Sequence, residues 1–167
     1  VALAESAVRT QAAGLFTEAR IQKLPPLAQA SVLVAVADLI GGAKAFLAPE
    51  VIDNLAALFT KDRIQSLGNH EKALVLAAFF QVLGTVDLDA GRAADIVAIF
   101  KASNLNAEQK ALVFTAFFKA AGSGKAVISG VLSDVITVFK SEASKLTAAQ
   151  KALIFASFFE SAAAGHL

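Results

Sequence analysis

Lys110-Ala-Leu-Val-Phe-Thr-Ala-Phe-Phe118 states a pattern that the chain makes again as Lys72-Ala-Leu-Val-Leu-Ala-Ala-Phe-Phe80 and as Lys151-Ala-Leu-Ile-Phe-Ala-Ser-Phe-Phe159. A fourth form, Gln29-Ala-Ser-Val-Leu-Val-Ala-Val-Ala37, keeps the apolar spacing without the aromatic pair. Successive copies begin 43, 38 and 41 residues apart. Self-similarity at that period marks units of two helices. Four such units, approximately 1–43, 44–86, 87–124 and 125–167, fill the 167 residues. The expected fold is therefore all-α. It is a single domain of eight helices in four tandem αα-hairpin repeats of about 40 residues, either closed as a helical bundle or wound as a short superhelix.

Each unit reads as a helix ending in Phe, a short polar join, and a second, more apolar helix. The first helices share Asn54-Leu-Ala-Ala-Leu-Phe59, Asp95-Ile-Val-Ala-Ile-Phe100 and Asp134-Val-Ile-Thr-Val-Phe139. The first unit places a helix over 4–17 ending at Phe16, then a join over 18–24, with Pro25-Pro26 opening a helix that stops at Gly41-Gly42. The join Thr60-Lys-Asp-Arg-Ile-Gln-Ser-Leu67 matches Thr17-Glu-Ala-Arg-Ile-Gln-Lys-Leu24 at five of eight positions, which fixes the unit boundary independently. Pro49 opens the second unit, and Asn69 is an expected cap for its second helix. Asn106 with Gln109, and Thr147 with Gln150, mark the starts of the last two apolar helices; the Thr147 pair is a capping-box pattern. Those second helices are apolar on nearly every face, so they belong at the centre. No segment alternates as a strand does.

A chain that is 56% hydrophobic and 17% charged carries a large core. Its longest runs without a charged residue, 24–37 and 73–86, are 14 residues each, short of the roughly 18–20 that a spanning helix needs. No membrane span is expected. The net charge of +1, with Lys and Arg scattered singly, leaves no footprint for nucleic acid. Cys, Met, Trp and Tyr are all absent, while Phe occurs 13 times. Disulfide and thiolate chemistry is thus excluded. Two readings of the missing oxidisable side chains stand. One is selection for life beside reactive oxygen, as in a photosynthetic compartment. The other is drift toward Ala, Val, Leu and Phe in a packed helical protein. The small-x-small triplet Ala2-Leu3-Ala4 resembles the vicinity of a processing site. It suggests the thylakoid lumen of a plastid, or another exported compartment, after removal of a targeting segment.

Catalytic groups are sparse in the pattern. His70 and His166 have no carboxylate or nucleophile at a telling spacing, and two distant histidines without Cys make no metal set. Gly122-Ser-Gly-Lys125 lacks the strand and spacing of a phosphate loop. Asp87 and Asp89 begin like a calcium loop without its later ligands. The chain reads as no enzyme, with no metal site.

The Phe pairs carry the functional expectation. Phe79-Phe80, Phe117-Phe118 and Phe158-Phe159 set rings at adjacent helical positions, about 100° apart. Together with Phe114 and Phe155 they either pack the core or wall an interhelical cavity for an elongated apolar ligand. Docking of the rings on a membrane surface lacks the basic face it would need.

The segment Phe100-Lys-Ala-Ser-Asn-Leu105-Asn-Ala-Glu-Gln109-Lys-Ala-Leu-Val-Phe114-Thr-Ala-Phe117-Phe-Lys-Ala-Ala-Gly122 resembles part of the N-terminal helical domain of the orange carotenoid protein family. The shared elements are a Phe-Lys, a Leu-Asn-Ala-Glu helix start, Gln-x-Ala-Leu, aromatics three residues apart and a Gly. The resemblance implies an all-helical domain of two bundles enclosing a keto-carotenoid. It also implies that Phe114 and Phe117 stand where that family has carotenoid-contacting Trp and Tyr.

The leading functional expectation is thus non-enzymatic binding of an apolar ligand, a carotenoid or lipid, in a Phe-lined interhelical cavity, linked to photosynthesis. The alternative is a structural or interaction subunit, a helical-repeat scaffold within a larger complex, a photosynthetic one included. The partners expected are an apolar small molecule or a protein, with a homo-oligomer as a further expectation. A pore-forming protein is a distant third.

Overall fold

The computed structural model describes residues 18–43 and 47–164, with Ala7 and Gln11 alone before them. Apart from those two residues, the helix expected over 4–17 lies outside the described residues, as does His166. Nine α-helices occur among the described residues, and no strand does. They are α1 (Glu18–Gln22), α2 (Pro26–Ala43), α3 (Pro49–Ala56), α4 (Lys61–Gln65), α5 (Asn69–Leu83), α6 (Ala90–Ala102), α7 (Ala107–Gly122), α8 (Ala126–Glu142) and α9 (Ala148–Ala164). A 3₁₀ turn, Ala143–Lys145, follows α8.

Local chemistry sets most of these boundaries. Pro26 and Pro49 are first residues of α2 and α3, where the missing N–H costs nothing. Asn106 caps α7 in a reciprocal box. Its side chain accepts from Gln109 N at 2.9 Å, and Gln109 Oε1 accepts from Asn106 N at 3.0 Å. Thr147 and Gln150 repeat the arrangement at α9, at 3.2 and 2.9 Å. Gly124, at φ 72°, turns the chain out of α7 in a conformation that favours glycine.

Four expectations need correction. The joins of the first two units are not simple connections: they contain five-residue helices, α1 and α4, so the helices exceed the expected eight. At α4 the Thr60 side chain caps the Arg63 N–H, and Ile64 is fully buried. Arg63 itself is buried and donates from Nη1 to Leu58 O at 2.6 Å, a second donor to a carbonyl that also accepts from Thr60 N at 3.0 Å where the chain leaves α3. That departure is the second correction, because α3 ends at Ala56 rather than near Phe59. Arg92 secures the same end by donating to Ala56 O at 2.8 Å. Third, α2 continues through Gly41-Gly42 to Ala43; both glycines keep ordinary helical backbone. Fourth, Gly68 rather than Asn69 is the cap of α5. The Asn69 amide instead donates to Asn104 O at 2.9 Å, tying the start of α5 to the chain entering α7.

The helices that carry the four copies, α2, α5, α7 and α9, lie side by side in chain order, and their mutual packing is the most extensive among the described residues. They run parallel. A Cβ placed on Gly84 at the end of α5 would sit 3.0 Å from Ala120 Cα near the end of α7. One placed on Gly122 would sit 2.5 Å from Phe158 O and 2.8 Å from Ala162 N of α9. A second row runs α4, α6, α8. The buried apolar side chains form one contiguous cluster from Ile21 to Ile154. α5 lies deepest, with Val75, Leu76, Phe79, Phe80, Val82 and Leu83 all sealed from solvent. Each such side chain contributes roughly 1.5–3 kcal/mol by leaving water.

Candidate functional site

The eight phenylalanines singled out by the sequence fall into two groups. Phe79, Phe80, Phe114 and Phe117 are completely buried, and Phe118 is half-buried. On α9 the equivalent rings open to solvent: Phe158 is half-buried, Phe155 is 48% exposed and Phe159 is 65% exposed. Six of these rings, Phe79, Phe80, Phe114, Phe117, Phe118 and Phe155, join in one series through Phe59, Phe100 and Phe139. Phe59 meets Phe79 at 5.5 Å between centroids, Phe80 meets Phe117 at 5.0 Å, and Phe118 meets Phe139 at 5.4 Å. Phe114 contacts both Phe100 and Phe139 at 5.2 Å, near-perpendicular in each case, and Phe139 passes the series to Phe155 at 5.9 Å. Phe158 and Phe159 pair with each other at 5.4 Å. Edge-to-face contacts of this kind add roughly 0.5–1.5 kcal/mol each beyond burial.

The clefts described here are bordered by other residues. One, of about 580 Å³, opens where the starts of α5, α7 and α9 come together. Leu112 and Leu153 flank it, Ala73, Ala111 and Thr115 line it, and His70, Asn106, Glu108, Gln109 and Gln150 form its polar rim. Much of that rim is already engaged, since Asn106, Gln109 and Gln150 serve the two capping boxes. The Thr115 hydroxyl donates to Ala111 O at 2.8 Å. A second cleft of about 400 Å³ lies toward the opposite ends of the same helices, lined by Gln81, Thr85, Ala116, Lys119, Ser123 and their neighbours. Thr115 and Ala116, adjacent on α7, border one cleft each.

Three leucines stand out on this surface. Leu74, Leu112 and Leu153 occupy the same place in their copies, two residues after Lys72, Lys110 and Lys151. They are 36%, 42% and 58% exposed. The reading of the sequence passed over them in favour of the rings, although their identical offset was visible there.

The polar groups weighed for chemistry have structural partners. Asp89 caps α6 by accepting from Gly91 N at 2.7 Å, and Asp87 pairs with Lys125 at 3.2 Å. The Asp87–Lys125 pair thus links the α5–α6 and α7–α8 connections. Among the described residues, no group of three or more His, Asp or Glu side chains is placed to hold a metal ion. No helix there is long and apolar enough to cross a membrane. Lys110, which opens the copy on α7, bonds Glu142 Oε2 at the end of α8 at 3.1 Å, as does Lys145. These two hydrogen bonds, Lys110 first, hold the Glu142 carboxyl below its ordinary range despite partial burial.

Comparison with known proteins finds no match: no family model fits the chain, and neither a curated protein nor a solved structure matches it.

Proposed function

We propose that the chain is a non-enzymatic helical-repeat scaffold, four tandem αα-hairpins whose row of second helices binds a protein partner. The observation that carries this reading is the set of exposed leucines, Leu74, Leu112 and Leu153, at one register on three neighbouring parallel helices. Stacked helix pairs build an extended surface from one position per unit, and a register-matched apolar ridge is what such a surface needs to receive an amphipathic helix. The hairpin reading is supported by the contacts Phe59–Phe79, Phe100–Phe114 and Phe139–Phe155: Phe100 and Phe139 lie on their unit's first helix and Phe59 just beyond the end of α3, and each ring meets that unit's second helix.

The test is a triple substitution, Leu74→Ser, Leu112→Ser and Leu153→Ser, in protein purified from its native source. Wild-type protein is expected to co-purify with a stoichiometric partner that the variant loses while its helical circular dichroism is unchanged. Retention of that partner by the variant would count against the ridge.

A second reading, an apolar small ligand such as a lipid or carotenoid, is favoured by the 580 Å³ cleft beside Leu112 and Leu153, a volume within the range of ligand sites. An absorbance scan followed by solvent extraction and mass spectrometry separates the two readings. With no Trp or Tyr, the polypeptide is nearly silent at 280 nm, so a visible band or an extracted lipid would favour the ligand.

A further inference from the structure

We infer that the outer face of α9 pairs with α9 of a second copy of this chain, antiparallel about a two-fold axis. The face is defined by five register positions, occupied on α9 by Ala152, Phe155, Ala156, Phe159 and Ala163. On α5 and α7 every one of these positions is buried or half-buried, because the next helix in the row lies against it. On α9 all five are exposed. The molecule therefore contains two worked examples of how this face is satisfied, each by a parallel neighbour seated on small residues, and one face of the same pattern left bare.

The bare face suits a copy of itself. With the axis between Phe155 and Ala156 at the middle of α9, Phe159 of each copy lies level with Ala152 of the other. The small side chain leaves a recess for the ring, and the two Phe155 rings meet beside the axis. The five positions carry no charge, so the pairing buries none. The exposed fractions of Phe155 and Phe159 alone leave roughly 200 Å² of ring surface. With the alanines, the pairing buries on the order of 700–1,000 Å² in total, below the roughly 1,200 Å² of stable interfaces and in the range of weak, transient ones. The dimer is accordingly weak and concentration-dependent, and it closes rather than grows.

Sedimentation velocity on the whole chain over a wide concentration range tests this. A monomer–dimer equilibrium is expected, abolished by Phe159→Glu, a change at an exposed position that leaves helicity intact, and retained by Leu27→Glu at the far end of the row. A monomer at every concentration, or assembly that continues beyond the dimer, overturns the proposal. The chain has no cysteine of its own, so single cysteines report geometry cleanly. Ala156→Cys, beside the axis, is expected to cross-link to itself under oxidation. Ala163→Cys is not, because its counterpart lies about 20 Å away along the helix. The reverse pattern refutes an antiparallel pair.

Discussion

At the scale of single residues, Glu142 holds the most informative position. The Lys110 and Lys145 ammonium groups both bond its carboxylate at 3.1 Å, and its pKa is lowered as a result. A carboxyl whose folded pKa lies below its unfolded value stabilises the fold above the unfolded value, about 4.3 for Glu. That contribution is lost as pH falls through the folded value. Glu142→Gln is therefore expected to lower the melting temperature at neutral pH. The gap from wild type should shrink steadily on acidification below the ordinary Glu range. Melting curves for both proteins between neutral and strongly acid pH check this, and a gap that stays constant throughout would remove Glu142 from the account. Lys110 was legible as the first residue of a repeated phrase. Its partner was not, because Glu142 is 32 residues away and nothing local links the two.

At the scale of elements, the helix starts were readable and the helix contacts were partly so. Capping chemistry is local, so Asn106–Gln109 and Thr147–Gln150 could be found by spacing alone. The five-residue helices α1 and α4 could not, since they are shorter than two turns and show no period. Gly41-Gly42 misled because glycine ends a helix only when the chain takes up its freedom, and here it does not. Glycine matters differently at Gly122. A Cβ there meets backbone atoms of α9 at 2.5 and 2.8 Å, which cannot move aside as a side-chain tip would. Gly122→Ala gains up to about 1 kcal/mol of helix propensity but overpacks the α7–α9 contact at a cost of about 1–3 kcal/mol. With the full propensity gain set against that cost, the expected result is a net loss of up to about 2 kcal/mol in urea unfolding; a stabilised variant would mean the two helices are not in this contact. Gly130, whose added Cβ meets nothing within 4 Å, is the matched control, and Gly130→Ala should stabilise by up to about 1 kcal/mol.

At the scale of the whole molecule, the all-helical class and the central place of α5 and α7 followed from composition and period. The equally apolar α9 ends the row and exposes much of its surface, so it is not central as expected. The candidate site followed less well. A ring looks the same in sequence whether a neighbour covers it, as with Phe80 and Phe117, or leaves it bare, as with Phe159. Position in the row decides exposure, and the row exists only in three dimensions. That same row has an electrical consequence. Parallel neighbours place their positive N-terminal ends at one edge, so the macrodipoles of α5, α7 and α9 repel rather than cancel. Glu71 and Glu108 sit in the first turns of α5 and α7 and offset that repulsion, while α9 has no acidic residue there. Ala149 occupies on α9 the position of Glu108 on α7. Ala149→Glu is thus expected to stabilise the chain by about 0.3–1 kcal/mol at low ionic strength. Added salt should erase the gain, as it does for any field that acts through water.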